Sequence, residues 1–284
     1  MELPDTILRK KIKEFLEEDI GFGDITTNSI IKGTGSNRKA SIFTRRDGIV
    51  AGLKEIVILF DFFHVKTHAN KEDGTRIQAN EIIMELEGPV KGILAGERTA
   101  LNLLMRMSGI ATTTFNIVEK VRQVNPSVKI ACTRKTTPGF RYFEKKAVKL
   151  GMGDTHRYRL DDMVLIKDNH LKLIPDIPQI IKLVRESVGF SKKIEIEVTS
   201  VEQALEAAKA KVDILMLDNF KVSEVQRAID ALEQNNLREN VFLEVSGNIT
   251  PENILNYANL RVDVISLGYL THSIKALDIS LDLK

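Results

Sequence analysis

Read for its apolar positions, the chain changes rhythm partway along. In the first hundred or so residues, helical and strand patterns are mixed. Leu8, Ile12, Phe15 and Leu16 recur at helical spacing behind Pro4-Asp5, a helix-start signal, and a polar, glycine-rich turn follows over residues 18–24. Residues 39–46 alternate as a strand, 54–63 read as a helix, and 82–86 read as another strand ahead of Gly88-Pro89. This predicts an α+β domain with a small sheet. A helical pattern carrying Leu94, Leu101, Leu104 and Ile117 then runs over residues 93–124, with a break expected at Gly109.

From Lys129 onward, short β-branched runs alternate with amphipathic helical stretches. The runs fall at 129–133, 163–166, 194–198, 214–217, 241–245 and 264–267, with helical segments at 177–188, 201–209, 222–234 and 251–258. Recurring βα units predict a parallel sheet covered by helices. No G-x-G-x-x-G follows a strand, so the pattern favours an α/β barrel over a dinucleotide-binding open sheet.

Composition narrows the class. Among 284 residues, 41 Lys+Arg nearly balance 39 Asp+Glu, which gives no basic coat for nucleic acid. The apolar stretches are far shorter than the ~20 residues of a membrane span, and no leader pattern opens the chain. A single cysteine cannot form an internal bridge. The expectation is a cytoplasmic globular protein with no nucleic-acid or membrane partner.

In a barrel, chemistry sits where the strands end. There the chain places Arg134 and Lys135, Lys167, Glu197, Asp218, Ser246-Gly247 and Gly268. The early strand ends and the loop between them supply cations, Arg134, Lys135, His156, Arg157 and Lys167, joined by Arg98 if its helix reaches the site. Such a cluster suits a multiply anionic ligand. Glu197 and Asp218 form a carboxylate pair of the kind that holds Mg²⁺ or sugar hydroxyls, and Ser246, Gly247 and Gly268 suit a phosphate. A lone charge or glycine at any one of these positions would be read as an ordinary loop residue; their succession carries the argument. Cys132 reads as a buried, inert thiol. His64 and His68 flank a strand rather than share a helix face, which argues against zinc. Arg45-Arg46 reads most simply as a solvated loop end and Lys145-Lys146 as the same on a helix, with an edge of the anionic cleft as the alternative for either.

These residues fall within longer motifs that resemble those of the quinolinate phosphoribosyltransferases. Glu18-Asp19-Ile20-Gly21-Phe22-Gly23-Asp24-Ile25-Thr26 is similar to the family's E-D-x-G-x-G-D-x-T, and Glu97-Arg98-Thr99-Ala100-Leu101-Asn102 to its E-R-T-A-L-N. Residues 106–111 resemble R-x-S-G-I-A, 133–139 T-R-K-T-x-P-G, 165–170 L-I-K-D-N-H, 217–220 L-D-N-F and 271–273 T-H-S. The resemblance runs nearly end to end. It departs at Met152, Asp154 and Thr155, where the family reads G-G-G-x-N-H-R, at Arg159 in place of a common glycine, and at Asn248 within A-S-G-G.

The resemblance implies an N-terminal α/β sandwich domain (1–105), an open α/β barrel (106–272) and a tail (273–284) returning to the first domain. It implies phosphoribosyl transfer from phosphoribosyl pyrophosphate to quinolinate with loss of CO2, in NAD biosynthesis. Arg134, His156, Arg157 and Lys167, with Arg98 from a neighbouring subunit, would surround the quinolinate carboxylates. Lys135 would face the pyrophosphate, Glu197 and Asp218 the ribose and Mg²⁺, and Ser246, Gly247 and Gly268 the 5-phosphate. A homodimer with shared sites follows from Arg98. The alternatives are a non-carboxylating nicotinate phosphoribosyltransferase, a relative associated with molybdate transport genes, and a non-catalytic anion-binding scaffold. The first needs fewer cations, and the scaffold would be expected to lose Lys135, Glu197 or Asp218.

Overall fold

The computed structural model describes residues 2–33 and 36–284. Five strands precede the long helix: β1 (Asn37–Thr44), β2 (Gly48–Ile49), β3 (Lys66–Ala69), β4 (Arg76–Ile77) and β5 (Ile82–Pro89). Then come β6 (Lys129–Ala131), β7 (Val164–Ile166), β8 (Ile194–Val198), β9 (Ile214–Asp218), β10 (Phe242–Ser246) and β11 (Val264–Ser266), and β12 (Ile279–Leu283) closes the chain. Contacts divide the molecule into two units. One comprises Met1–Phe115, Lys146–Met152 and Ile274–Lys284; the other comprises Asn116–Lys145 and Gly153–Ser273.

In the first unit, helix Asp5–Ile20 buries the stripe Leu8, Ile12 and Leu16 and packs on helix Leu53–Asp61. A four-stranded antiparallel sheet has the order β12-β1-β5-β3. Ala40 and Ile42 of β1 point to its buried side, as period-two alternation requires. Helix Val90–Arg122 runs without interruption, so the break expected at Gly109 is absent. Gly109 serves close approach instead: a Cβ there would meet the Lys275 carbonyl oxygen and stand 2.9 Å from Ala276 Cα. The first unit takes in this helix as far as Phe115. Lys146, read from sequence as a surface charge, is buried; its Nζ meets Glu55 at 2.8 Å and Asp73 at 3.1 Å. Sequence spacing cannot disclose partners so distant along the chain.

The second unit is an open α/β barrel. Its six parallel strands run in the order β6-β11-β10-β9-β8-β7. The outer helices arise from apolar stripes and local caps. Asp176 accepts from the Gln179 N–H at 2.8 Å ahead of helix Ile177–Ser187, and Ser200 from the Gln203 N–H at 3.2 Å ahead of Val201–Lys209. Strand positions expected from the β-branched runs recur within a residue or two. Among the described residues, no helix is long and apolar enough to cross a membrane.

Candidate active site

Alternation along the parallel strands decides which side chains face the barrel interior. The register sets Leu165 beside Glu195, Glu197 beside Met216, Met216 beside Glu244, and Asp218 beside Ser246. Paired residues in a parallel ladder share a face, and so do residues two apart on one strand. Asp218 and Ser246 therefore stand outermost, at the strand ends. Glu197, Met216 and Glu244 are level with one another two residues deeper, and Leu165 and Glu195 lie two residues deeper again. A cavity of about 450 Å³ opens on this arrangement.

Cations gather on one side of it. Arg134 and Lys135 follow β6, His156 and Arg157 come from the loop before β7, and Lys167 ends β7; all five line the cavity. The Nε of Arg134 is buried and has no hydrogen-bond partner among the described residues. Arg157 is 7% exposed, and its Nη1 donates to the Met163 carbonyl at 3.1 Å. Burial, and then the charge of Arg134, lower the Arg157 pKa, but a guanidinium starts so high that it stays charged. Two cations held this close, one with an orphaned donor, form a receptor for an anion.

Glu197, Asp218, Ser246 and Gly247 line the same cavity. Lys167 Nζ forms a short ion pair with Glu197 Oε1, whereas Asp218 Oδ2 accepts from the Asn219 amide at 2.8 Å. Gly247 has φ +87°, and a Cβ on it would collide with the Asn219 side chain and lie 2.8 Å from Asn219 N. Glycine is required there. Asn248 also lines the cavity, with its amide donating to Asn219 Oδ1 at 2.9 Å. Arg98 and Gly268 are not among the lining residues. Arg98 is exposed on helix Val90–Arg122 of the first unit. Gly268 precedes the short helix Tyr269–His272, where a Cβ would stand 3.1 Å from Lys135 Cδ.

Three buried groups escaped the sequence reading. Lys145 is fully buried and its Nζ donates to the Arg157 carbonyl at 2.7 Å and to the Thr155 carbonyl, so it braces the cationic loop instead of facing solvent. Glu195 is 0% and Glu244 2% exposed. The signal for both was present: each is a carboxylate inside a run of Ile, Leu and Val that otherwise reads as barrel interior. Their Oε2 atoms lie 3.2 Å and 3.3 Å from His156 Nε2. Burial raises the Glu195 pKa, as it does for any carboxylate taken out of water. Burial works against a charged His156 imidazole, and the nearby carboxylates of Glu195 and Glu244 oppose that effect and raise its pKa. The Arg157 N–H donated to Nδ1 at 2.8 Å acts the other way and favours the neutral ring with its proton on Nε2, facing the carboxylates. Cys132 is fully buried, and burial raises its thiol pKa to about 11.

Comparison with known proteins gives consistent matches. Residues 24–108 match the model of the quinolinate phosphoribosyl transferase N-terminal domain, and residues 110–282 that of its C-terminal domain. A protein of Methanocaldococcus jannaschii named probable nicotinate-nucleotide pyrophosphorylase [carboxylating] is 48% identical over 276 residues, covering 96% of each chain. Its namesake in Methanothermobacter thermautotrophicus is 44% identical over 273 residues, covering 96% of this chain and 98% of that one. The structure of nicotinate-nucleotide pyrophosphorylase from Francisella tularensis superposes with a TM-score of 0.92 at 35% identity, covering 100% of this chain and 98% of the other.

Proposed function

The chain belongs to the quinolinate phosphoribosyltransferase family, and from that premise we propose how its cavity carries out the family's reaction. The enzyme is a carboxylating nicotinate-nucleotide pyrophosphorylase: it transfers phosphoribosyl from phosphoribosyl pyrophosphate to quinolinate and yields nicotinate mononucleotide, pyrophosphate and CO2 in NAD biosynthesis. Arg134, Arg157 and Lys167, with His156 lining the cavity beside them, hold the two quinolinate carboxylates. The observation that carries this assignment is the buried Arg134 Nε, without a hydrogen-bond partner among the described residues, beside the buried Arg157. A dianion and a polyanion brought together in one cleft repel strongly, and the clustered cations offset that repulsion.

The pyridine nitrogen attacks ribose C1 as the C1–O bond to pyrophosphate breaks. Positive charge grows at C1 in the transition state, so positioning and neutralisation of the leaving group dominate catalysis. Lys135, at the cavity rim, neutralises pyrophosphate. Glu197 and Asp218 orient the ribose hydroxyls, and Ser246, Gly247 and Gly268 receive the 5-phosphate. These two carboxylates also fit Mg²⁺: they are hard oxygen donors on adjacent strands, facing one side of a polar cavity. When bound there, Mg²⁺ would supply positive charge for the pyrophosphate oxygens. Once N-alkylated, the pyridinium ring takes up the electron pair left at C2 as the 2-carboxylate departs as CO2, and a proton then replaces it. No redox cofactor enters this scheme.

Arg98 enters this scheme from a second subunit, which makes the working form a homodimer, in the cytoplasm. The free, buried thiol of Cys132 suits a reducing compartment. The test combines the protein with Mg²⁺, phosphoribosyl pyrophosphate and either quinolinate or nicotinate. Nicotinate mononucleotide and one CO2 per turnover from quinolinate are expected. Comparable turnover of nicotinate, with no CO2 from quinolinate, would overturn the assignment in favour of the non-carboxylating reading.

A further inference from the structure

Glu195 and Glu244 have no part in the scheme above, yet burying two carboxylates is costly. Both oxygens of Glu195, Oε1 of Glu244 and Nε2 of His156 are buried with no partner in hydrogen-bond geometry among the described residues. The group they converge on is the His156 ring, at 3.2 Å and 3.3 Å. His156 has φ +51°, a left-handed conformation that a non-glycine residue adopts at a cost. Its N–H donates to Asp154 Oδ1 at 2.8 Å and its Nδ1 accepts the Arg157 N–H at 2.8 Å. Two carboxylates and an imidazole make a donor set suited to a cation. The tautomer rules that out: Nδ1 uses its lone pair on Arg157, so Nε2 carries the proton and has no lone pair for a metal. Nδ1 is thus spent on the protein, and Nε2 lies within ion-pair distance of both carboxylates.

We propose that Glu195 and Glu244 are positioning residues for quinolinate: they hold the His156 ring with its proton on Nε2, and the ring holds the strained turn that carries Arg157 into the cavity. The inference rests on the reading of Arg157 as a quinolinate ligand. Glu244 lines the cavity two residues below Ser246, but the ion-pair partner the structure gives both carboxylates is His156, on the quinolinate side. Quinolinate affinity and phosphoribosyl pyrophosphate affinity are therefore separable.

The test uses the full-length enzyme, Glu244→Gln and Glu195→Gln, with ¹⁵N-labelled histidine. In the wild type, the His156 resonances are expected to show Nδ1 bare and Nε2 protonated, a readout that needs neither turnover nor a stable variant. Each Gln variant is expected to raise the quinolinate KM by about 10- to 100-fold, the usual cost of removing a carboxylate that orients a functional imidazole. The KM for phosphoribosyl pyrophosphate should stay unchanged. Adding Glu244→Gln to a His156→Phe background should cause no further loss, because the glutamate then has nothing to orient. A proton on Nδ1 in the wild type, equal losses for the two substrates, or additive losses in the double variant would overturn the proposal. Failure of the wild type to release CO2 from quinolinate would instead overturn the assigned reaction and leave the ring measurement standing.

Discussion

Glu197 and Asp218 line the same cavity from adjacent strands, but they keep different company, and their removal should be distinguishable. Glu197 is tied to Lys167, whereas Asp218 accepts from its neighbour Asn219. Asp218→Ala is expected to weaken use of phosphoribosyl pyrophosphate while quinolinate binding to the free enzyme, measured by calorimetry, is retained. Glu197→Ala should impair both, because Lys167 loses the anchor that aims it. Truncating one member of a hydrogen-bonded charge pair costs about 2 to 5 kcal/mol when the pair is buried, and the partial exposure of Lys167 places this one toward the lower figure. Cys132 allows a separate check. A thiol pKa raised to about 11 leaves roughly one molecule in a thousand as thiolate at pH 8. A disulfide reagent should therefore leave the folded protein unmodified and label it stoichiometrically once unfolded.

At the scale of elements, the β-branched runs located every barrel strand because a parallel sheet covered on both faces leaves little room for other residue types. The cations at the strand ends were legible for the complementary reason that solvent or a ligand must receive them. What stayed hidden were charges within the elements. Glu195 and Glu244 sit inside apolar runs, and Lys145 and Lys146 sit on helix Arg141–Leu150, where all four find partners remote in sequence. Local pattern cannot distinguish a buried, paired charge from a solvated one. Gly109 illustrates the same limit, since its spacing suggested a broken helix while its role is contact with the segment before β12. Gly109→Ala is expected to overpack that contact at a cost of about 1 to 3 kcal/mol, lowering Tm by roughly 2 to 12 °C. Calorimetric melting would read it, and an unchanged Tm would show that the tail yields freely.

For the whole molecule, the shared-site reading makes a test of association. Arg98→Ala and Arg157→Ala chains should each be nearly inactive alone. After subunit exchange, each heterodimer collects both lesions in one site and none in the other, so it should keep about half the wild-type rate. Absence of recovery after demonstrated exchange would place both arginines in one chain. A different consequence follows from the place of β12 beside β1, where Ala40 is paired with Leu283. A sheet begun at residue 37 is completed only by residues 279–283. At ribosomal speeds of about 5 to 20 residues per second, its first strand waits on the order of ten to fifty seconds for its last neighbour. During that interval β1 presents an unpaired edge, a template for another nascent chain. Synthesis rate and crowding on polysomes should therefore govern the yield of soluble protein, and truncation of β12 should turn a transient hazard into a permanent one.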